Sequence, residues 1–141
     1  MAKDLSLFFP EQVAKREVGF TKIASKRFKD EEGNIIKWEF SYPTHEDFKK
    51  IKKAASKQIV EGNKIKYDYD QDAMFMEGII STITFPNLKD AELQDAYNSY
   101  TPQELLENML YPDELEKLGR DVAIEIGAAE NPFDLLDEAK N

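Results

Sequence analysis

Cysteine is absent from this chain of 141 residues, and histidine occurs once, as His45. The first absence excludes disulfides and thiolate metal sites, zinc ribbons included. The second removes histidine clusters as metal ligands and leaves few nucleophile–histidine pairs to consider. No apolar run approaches the roughly 18 residues that a membrane helix needs. The N-terminus, Met1-Ala2-Lys3-Asp4, leads only into a short apolar patch around Phe8 and Phe9 and does not read as a signal peptide, so a cytoplasmic protein is expected. Walker loops, GxGxxG and GxSxG are also missing. Hydrophobic residues make up 41% of the chain and charged residues 33%. A chain of this size buries roughly 68–70% of its unfolded surface, enough for one core without covalent staples.

Charge is unevenly spread. Residues 1–60 carry +4 and residues 61–141 carry −13, giving the net −9. A strongly acidic half argues against nucleic-acid binding, because phosphates repel it. Lys49, Lys50, Lys52, Lys53 and Lys57 form a basic run, but no aromatic residues interleave with them to stack on bases. They read as the wet face of an amphipathic helix. A further reading has the basic half meeting the acidic half, within one chain or between copies.

Residues 5–9 are apolar and stop at Pro10, as a short helix or an extended arm. Residues 18–29 have strand composition, with Val18, Phe20, Ile23 and Phe28. Asp30-Glu31-Glu32-Gly33-Asn34 is a polar turn in which Gly33 and Asn34 suit positive φ. From Ile35 to Tyr42, Ile36, Trp38 and Phe40 alternate with Lys37, Glu39 and Ser41, the period of a half-buried strand. Thr44 with Asp47 resembles a capping box opening a helix over 45–60, whose apolar face is Phe48, Ile51, Ala55 and Ile59. Gly62-Asn63 breaks it, and Ile65 to Tyr69 reads as a short strand or as loop. A helix over about 70–84 is apolar on more than one face and is expected at the centre of the core. The β-favouring Ser81, Thr82, Ile83 and Thr84 leave strand as the competing reading there. Residues 90–98 form a short helix. Thr101-Pro102-Gln103-Glu104 starts another. Pro112-Asp113-Glu114 starts the last, which runs to about Ile126 with Gly127 as its C-cap.

The expected fold class is α+β: an N-terminal β-hairpin over about 19–41, followed by a bundle of four to five helices. Trp38, Phe48, Ile51, Phe75, Ile79, Ile83, Leu106 and Leu118 are expected in its core. Residues 1–127 read as a single globular domain and 128–141 as a flexible acidic C-terminal tail. Within that tail Phe133, Leu135 and Leu136 stand among acidic residues, as in a docking motif that orders on a partner. They are the candidate partner-binding residues. No catalytic, cofactor-binding or metal site is expected. Asp68-Tyr69-Asp70-Gln71-Asp72 copies the start of an EF-hand loop, but Ala73 replaces the required glycine and Ile79 the bidentate glutamate. These aspartates read instead as a helix cap and first turn. His45, beside Glu46 and Asp47, reads as a surface histidine.

The segment Ala24-Ser25-Lys26-Arg27-Phe28-Lys29-Asp30-Glu31-Glu32-Gly33-Asn34, continuing through Trp38-Glu39-Phe40, resembles the hairpin of the tail assembly chaperones of long-tailed phages and PBSX-like prophages of Gram-positive hosts. Phe85-Pro86-Asn87-Leu88-Lys89-Asp90-Ala91-Glu92-Leu93-Gln94-Asp95-Ala96-Tyr97, followed by the leucine-rich Leu105 to Leu110, is similar to a second block of that family. The ending Glu138-Ala139-Lys140-Asn141 is similar as well. The resemblance implies a non-enzymatic protein of the host cytoplasm, without cofactor, nucleic-acid or membrane partner. It implies binding to the tape-measure protein, whose long helices it keeps soluble while tail-tube subunits assemble. The tail-tube protein and a frameshifted longer form of the chain itself are the further partners it suggests, and Lys-Asn at the end is a pair that a slippery codon sequence can encode. Self-association stays open. The alternative is a generic cytoplasmic protein–protein interaction domain, and neighbouring tube and tape-measure genes would distinguish the two.

Overall fold

Alternation of aromatic and polar residues builds the strand β2 (Trp38–Ser41), which buries Trp38 and Phe40 and exposes Glu39. In the computed structural model, which describes residues 4–129, β2 pairs antiparallel with β1 (Gly19–Lys22), from Gly19↔Ser41 to Lys22↔Trp38. Phe20 stacks on Phe40 with ring centroids 5.2 Å apart. The expected hairpin is present, but its paired strands are shorter than the composition suggested. After Lys22 the chain leaves the ladder: Ala24 and Ser25 are buried, and the Ser25 hydroxyl accepts the Arg27 N–H at 3.1 Å. The turn at Asp30–Asn34 is closed by the Asp30 carboxylate, which accepts the N–H groups of Glu32 and Asn34, both at 2.9 Å. Gly33 takes φ +86° there; Asn34 does not share a positive φ.

Two of the expected helices are shorter and end in strands. The helix read over 45–60 is α1 (His45–Ala54), after which Ser56–Glu61 forms β3 and pairs with β4 (Lys64–Tyr69). Ile51, Ala55 and Ile59 keep helical spacing, which hides the change. Beyond Ala55, however, β-branched Ile59 and Val60 precede a two-residue Gly62-Asn63 loop, and that combination favours a hairpin. Lys57 therefore lies on β3 and not on the helix with the other lysines. The helix read over 70–84 is α2 (Gln71–Thr82), and Ile83–Phe85 becomes β5, which pairs with β2. Here the β-propensity of Ile83 and Thr84 decides, together with the open edge of β2. The first sheet has the order β1-β2-β5. The hairpin is thus not followed by helices alone: three further strands intervene before the last three helices, and the described residues hold five α-helices and two small antiparallel sheets.

The remaining helices are α3 (Ala91–Ala96), α4 (Pro102–Met109) and α5 (Pro112–Glu125). Local capping chemistry sets their starts. The Thr44 and Thr101 hydroxyls accept the N–H groups of Asp47 and Glu104, both at 3.1 Å. Glu114 accepts the Tyr111 N–H at 2.9 Å at the head of α5. Each such cap is worth ~1 kcal/mol. At the other end of α5, Gly127 takes φ +81°, and the Ala128 N–H closes on the Ala123 carbonyl at 2.8 Å. This is the hydrogen-bond pattern of a Schellman termination. Ala128 is itself buried.

The helix α2 lies at the centre, as its multi-sided apolar surface implied, burying Met74, Phe75, Gly78, Ile79 and Thr82. Thr82 satisfies its hydroxyl on the Gly78 carbonyl at 2.6 Å. Around α2 pack Ile51 of α1, Leu105, Leu106 and Met109 of α4, and Leu118 and Val122 of α5. Of the expected core, Trp38, Ile51, Phe75, Ile79, Leu106 and Leu118 are buried, while Phe48 and Ile83 are half-buried against the same cluster.

Candidate interaction surfaces

Residues far apart in the chain meet first at Arg27. Its guanidinium forks onto the Glu114 carboxylate, with Nε at 3.3 Å from Oε2 and Nη2 in close contact with Oε1. It also donates to the Met109 carbonyl at 3.0 Å and lies 4.7 Å from the centre of the Tyr111 ring. This contact ties the loop of the first hairpin to the junction of α4 and α5. The hydrogen bonds from Arg27 hold the Glu114 carboxyl down to about 2, against an ordinary 4.5. A depressed carboxylate stabilises the fold fully above its unfolded value and loses that contribution as pH falls towards its folded value. The stability difference between the native chain and Glu114→Gln should therefore be constant near neutrality and shrink between pH 4.5 and about 2. Urea melts at stepped pH measure this; a gap that ignores pH would mean the ion pair is not its source.

Two further contacts join the basic half to the acidic half. Arg16 lies 3.6 Å from the Tyr42 ring centroid and donates to the Glu125 carbonyl at 3.2 Å. Lys52 donates to the Ala128 carbonyl at 3.3 Å. Both place a cation at the C-terminal end of α5, where the helix dipole favours it. The meeting of the two halves therefore occurs within one chain. Lys49, Lys50, Lys52 and Lys53 are exposed on α1, as the wet-face reading held.

The EF-hand-like aspartates separate. Asp70 caps α2 by accepting the Ala73 N–H at 3.0 Å, and Asp72 lies in the first turn. Asp68 belongs to β4, opposite Lys57. Among the described residues no group of three or more acidic or histidine side chains could hold a metal ion. His45 is exposed at the first position of α1. Among the described residues no helix is long and apolar enough to cross a membrane. Phe133, Leu135 and Leu136 lie outside the described residues.

Among the described residues two clusters of exposed apolar side chains stand out. The first is a 3₁₀ turn, Leu5–Phe8, held by Asp4, whose carboxylate accepts the Ser6 N–H at 2.9 Å. None of its residues is buried; Leu5 and Phe8 are 74% and 78% exposed. The unbroken run Leu7-Phe8-Phe9 was its signal in the sequence. The second is one face of the β3–β4 hairpin. Val60 is paired with Ile65, and Tyr67 and Tyr69 alternate along β4 on that same face. At the hairpin's base the Tyr69 hydroxyl approaches the Met74 sulfur at 3.5 Å, whereas Tyr67, further out, is 74% exposed.

These features define a small α+β protein that presents apolar side chains and an open strand edge for contact. The chain belongs to the phage XkdN-like tail assembly chaperone family, which it matches over residues 5–140. It is 31% identical over 142 residues to YqbN, an uncharacterized protein of Bacillus subtilis strain 168, covering 96% of this chain and 91% of YqbN. It is 30% identical over 146 residues to the phage-like element PBSX protein XkdN of the same strain, covering 98% of this chain and 94% of XkdN. The crystal structure of YqbN superimposes with a TM-score of 0.64 at 25% identity, covering 92% of this chain and all of that one.

Proposed function

We propose that this chain is a non-enzymatic chaperone of the host cytoplasm that binds the tape-measure protein of a long-tailed phage or prophage and assists assembly of the tail tube around it. The observation that carries the reading is the Leu5–Phe8 turn: the apolar side chains of Leu5, Leu7 and Phe8 held in the open, in a member of a tail assembly chaperone family. Long helices that await assembly expose apolar stripes prone to aggregate. Short apolar segments on an otherwise acidic protein can cover such stripes, while the charge of −13 on residues 61–141 keeps the complex soluble by repulsion. Phe133, Leu135 and Leu136 are proposed as a second set of contacts.

Co-expression with the tape-measure protein tests this. The full chain should raise the soluble fraction of its partner, and Leu7→Asp with Phe8→Asp, or Phe133→Asp, should lower it. A truncation belongs after Ala129 rather than after Gly127, because Ala128 is buried and its N–H completes the α5 termination. If truncated and full chains perform alike, the tail is dispensable and the contact lies on the folded part. If the full chain and its frameshifted form both leave the tape-measure protein insoluble, tape-measure binding is wrong.

A further inference from the structure

The β3–β4 hairpin has two open edges, and the edge of β4 carries a pattern that complements itself. Its loop has two residues, so the flanking pair Glu61↔Lys64 is hydrogen-bonded and the pairs alternate from there. Ile59↔Lys66 and Lys57↔Asp68 spend their backbone groups inside the hairpin, whereas Ile65, Tyr67 and Tyr69 turn theirs outward. The Tyr69 N–H bears this out, donating to the carboxylate of its own neighbour Asp68 at 2.8 Å. Every residue of β4 is exposed, while β3 has a half-buried residue in Ile59. Exposed edges with apolar side chains are ready templates for another strand.

We infer that β4 pairs with β4 of a second copy of this chain, antiparallel about a twofold axis at Tyr67, making one four-stranded sheet from two hairpins. The charges select both the occupant and the register. With Tyr67 opposite its own counterpart, Lys66 faces Asp68 of the second copy, and Asp68 faces Lys66. These are non-hydrogen-bonded pairs, in which side chains approach most closely. Centring the dyad on Lys66 or on Asp68 sets like charges against each other. Centring it on Ile65 sets Lys64 against Lys66. The favoured register also places Ile65 beside Tyr69 of the second copy and the two Tyr67 residues side by side, so the apolar faces of both hairpins become one surface. Such an interface is small and its ion pairs are exposed, so the dimer is weak and loosens as salt rises. None of this depends on tape-measure binding.

Sedimentation equilibrium of the full chain over a concentration series at low salt tests the pairing. A shift from one chain mass to twice that mass is expected. Lys66→Asp and Asp68→Lys should each remain monomeric where the native chain dimerises. An equimolar mixture of the two should dimerise again, because every facing pair then joins opposite charges. Tyr67→Pro, which removes an outward N–H and spares the hairpin's own ladder, should abolish the dimer; Gln58→Pro, the equivalent change on the β3 edge, should leave it. Thermal melts confirm that each variant is folded. A native chain that stays monomeric throughout, a dimer indifferent to both charge reversals, a mixture that fails to restore it, or a dimer lost with Gln58→Pro but kept with Tyr67→Pro overturns the inference.

Discussion

Replacing Ile79 by alanine is expected to cost about 2–5 kcal/mol of stability. Ile79 is 0% exposed on α2, the helix around which the rest of the core is arranged. The change deletes three carbons, worth about 0.8 kcal/mol each in transfer alone. The surroundings relax only partly into the gap, because α1 and α5 are both packed on α2, so a cavity term adds to the transfer term. Domains of this size have roughly 5–15 kcal/mol in total, and the loss is a large part of that. Ile79→Val, which removes one carbon, should cost only about 0.5–1.5 kcal/mol. Urea unfolding of the three chains gives the comparison, with an unchanged slope confirming that the midpoint shift is a stability change. A cost for Ile79→Ala within measurement noise would mean that α2 is not the centre of the core.

Features that depend on a few adjacent residues could be read from the amino-acid sequence. Thr44, Thr101, Pro112 with Glu114, and Gly127 mark helix ends because each acts on backbone groups within one turn. The apolar stripes of α2, α4 and α5 were visible for the same reason, as was the alternation of Trp38 and Phe40. What escaped depends on residues brought together by the fold. The strand β5 has three residues and owes its state to pairing with β2, about forty residues earlier. The ion pair of Arg27 with Glu114 spans 87 residues and has no local pattern at all. The strand β3 is a case of competing periods: Ile51, Ala55 and Ile59 extend the helical spacing of α1, and only the Gly62-Asn63 loop after β-branched Ile59 and Val60 argued otherwise. The surfaces were partly legible. Leu5 to Phe9 was recognisable as apolar, but an apolar run by itself does not say whether its side chains will be covered. In β4 the alternation of Lys64, Lys66 and Asp68 with Ile65, Tyr67 and Tyr69 carried the information, yet it gains meaning only once the hairpin shows which backbone groups point outward.

The substitution Gly119→Ala should destabilise the protein by about 1–3 kcal/mol, against the direction that helix propensity predicts. Alanine in a helix interior is ordinarily better than glycine by about 1 kcal/mol. Gly119, however, lies where α5 crosses α2. A methyl group there would fall on the Phe75 Cβ and stand 2.9 Å from Cγ. The far end of a side chain could swing away, but Cβ is fixed by the α2 backbone. The two helices would have to separate, loosening Phe75, Leu118 and Val122 together. Shortening the aromatic side chain, as in Phe75→Leu, should not rescue the variant, because the Cβ persists. Gly78→Ala is the matched comparison on α2: its methyl would meet Ile51 Cγ2 at 4.0 Å, an ordinary van der Waals contact. That change should be neutral or stabilising by up to about 1 kcal/mol. Opposite signs for two glycine-to-alanine changes, measured by thermal unfolding, would show that the α2–α5 approach and not flexibility is what Gly119 supplies. Equal stabilisation by both would place the two helices further apart than described. The distance matters beyond stability, since α5 carries at its head the Glu114 that holds the first hairpin and at its end the carbonyls that anchor Arg16 and Lys52. Displacing it should disturb these anchors together.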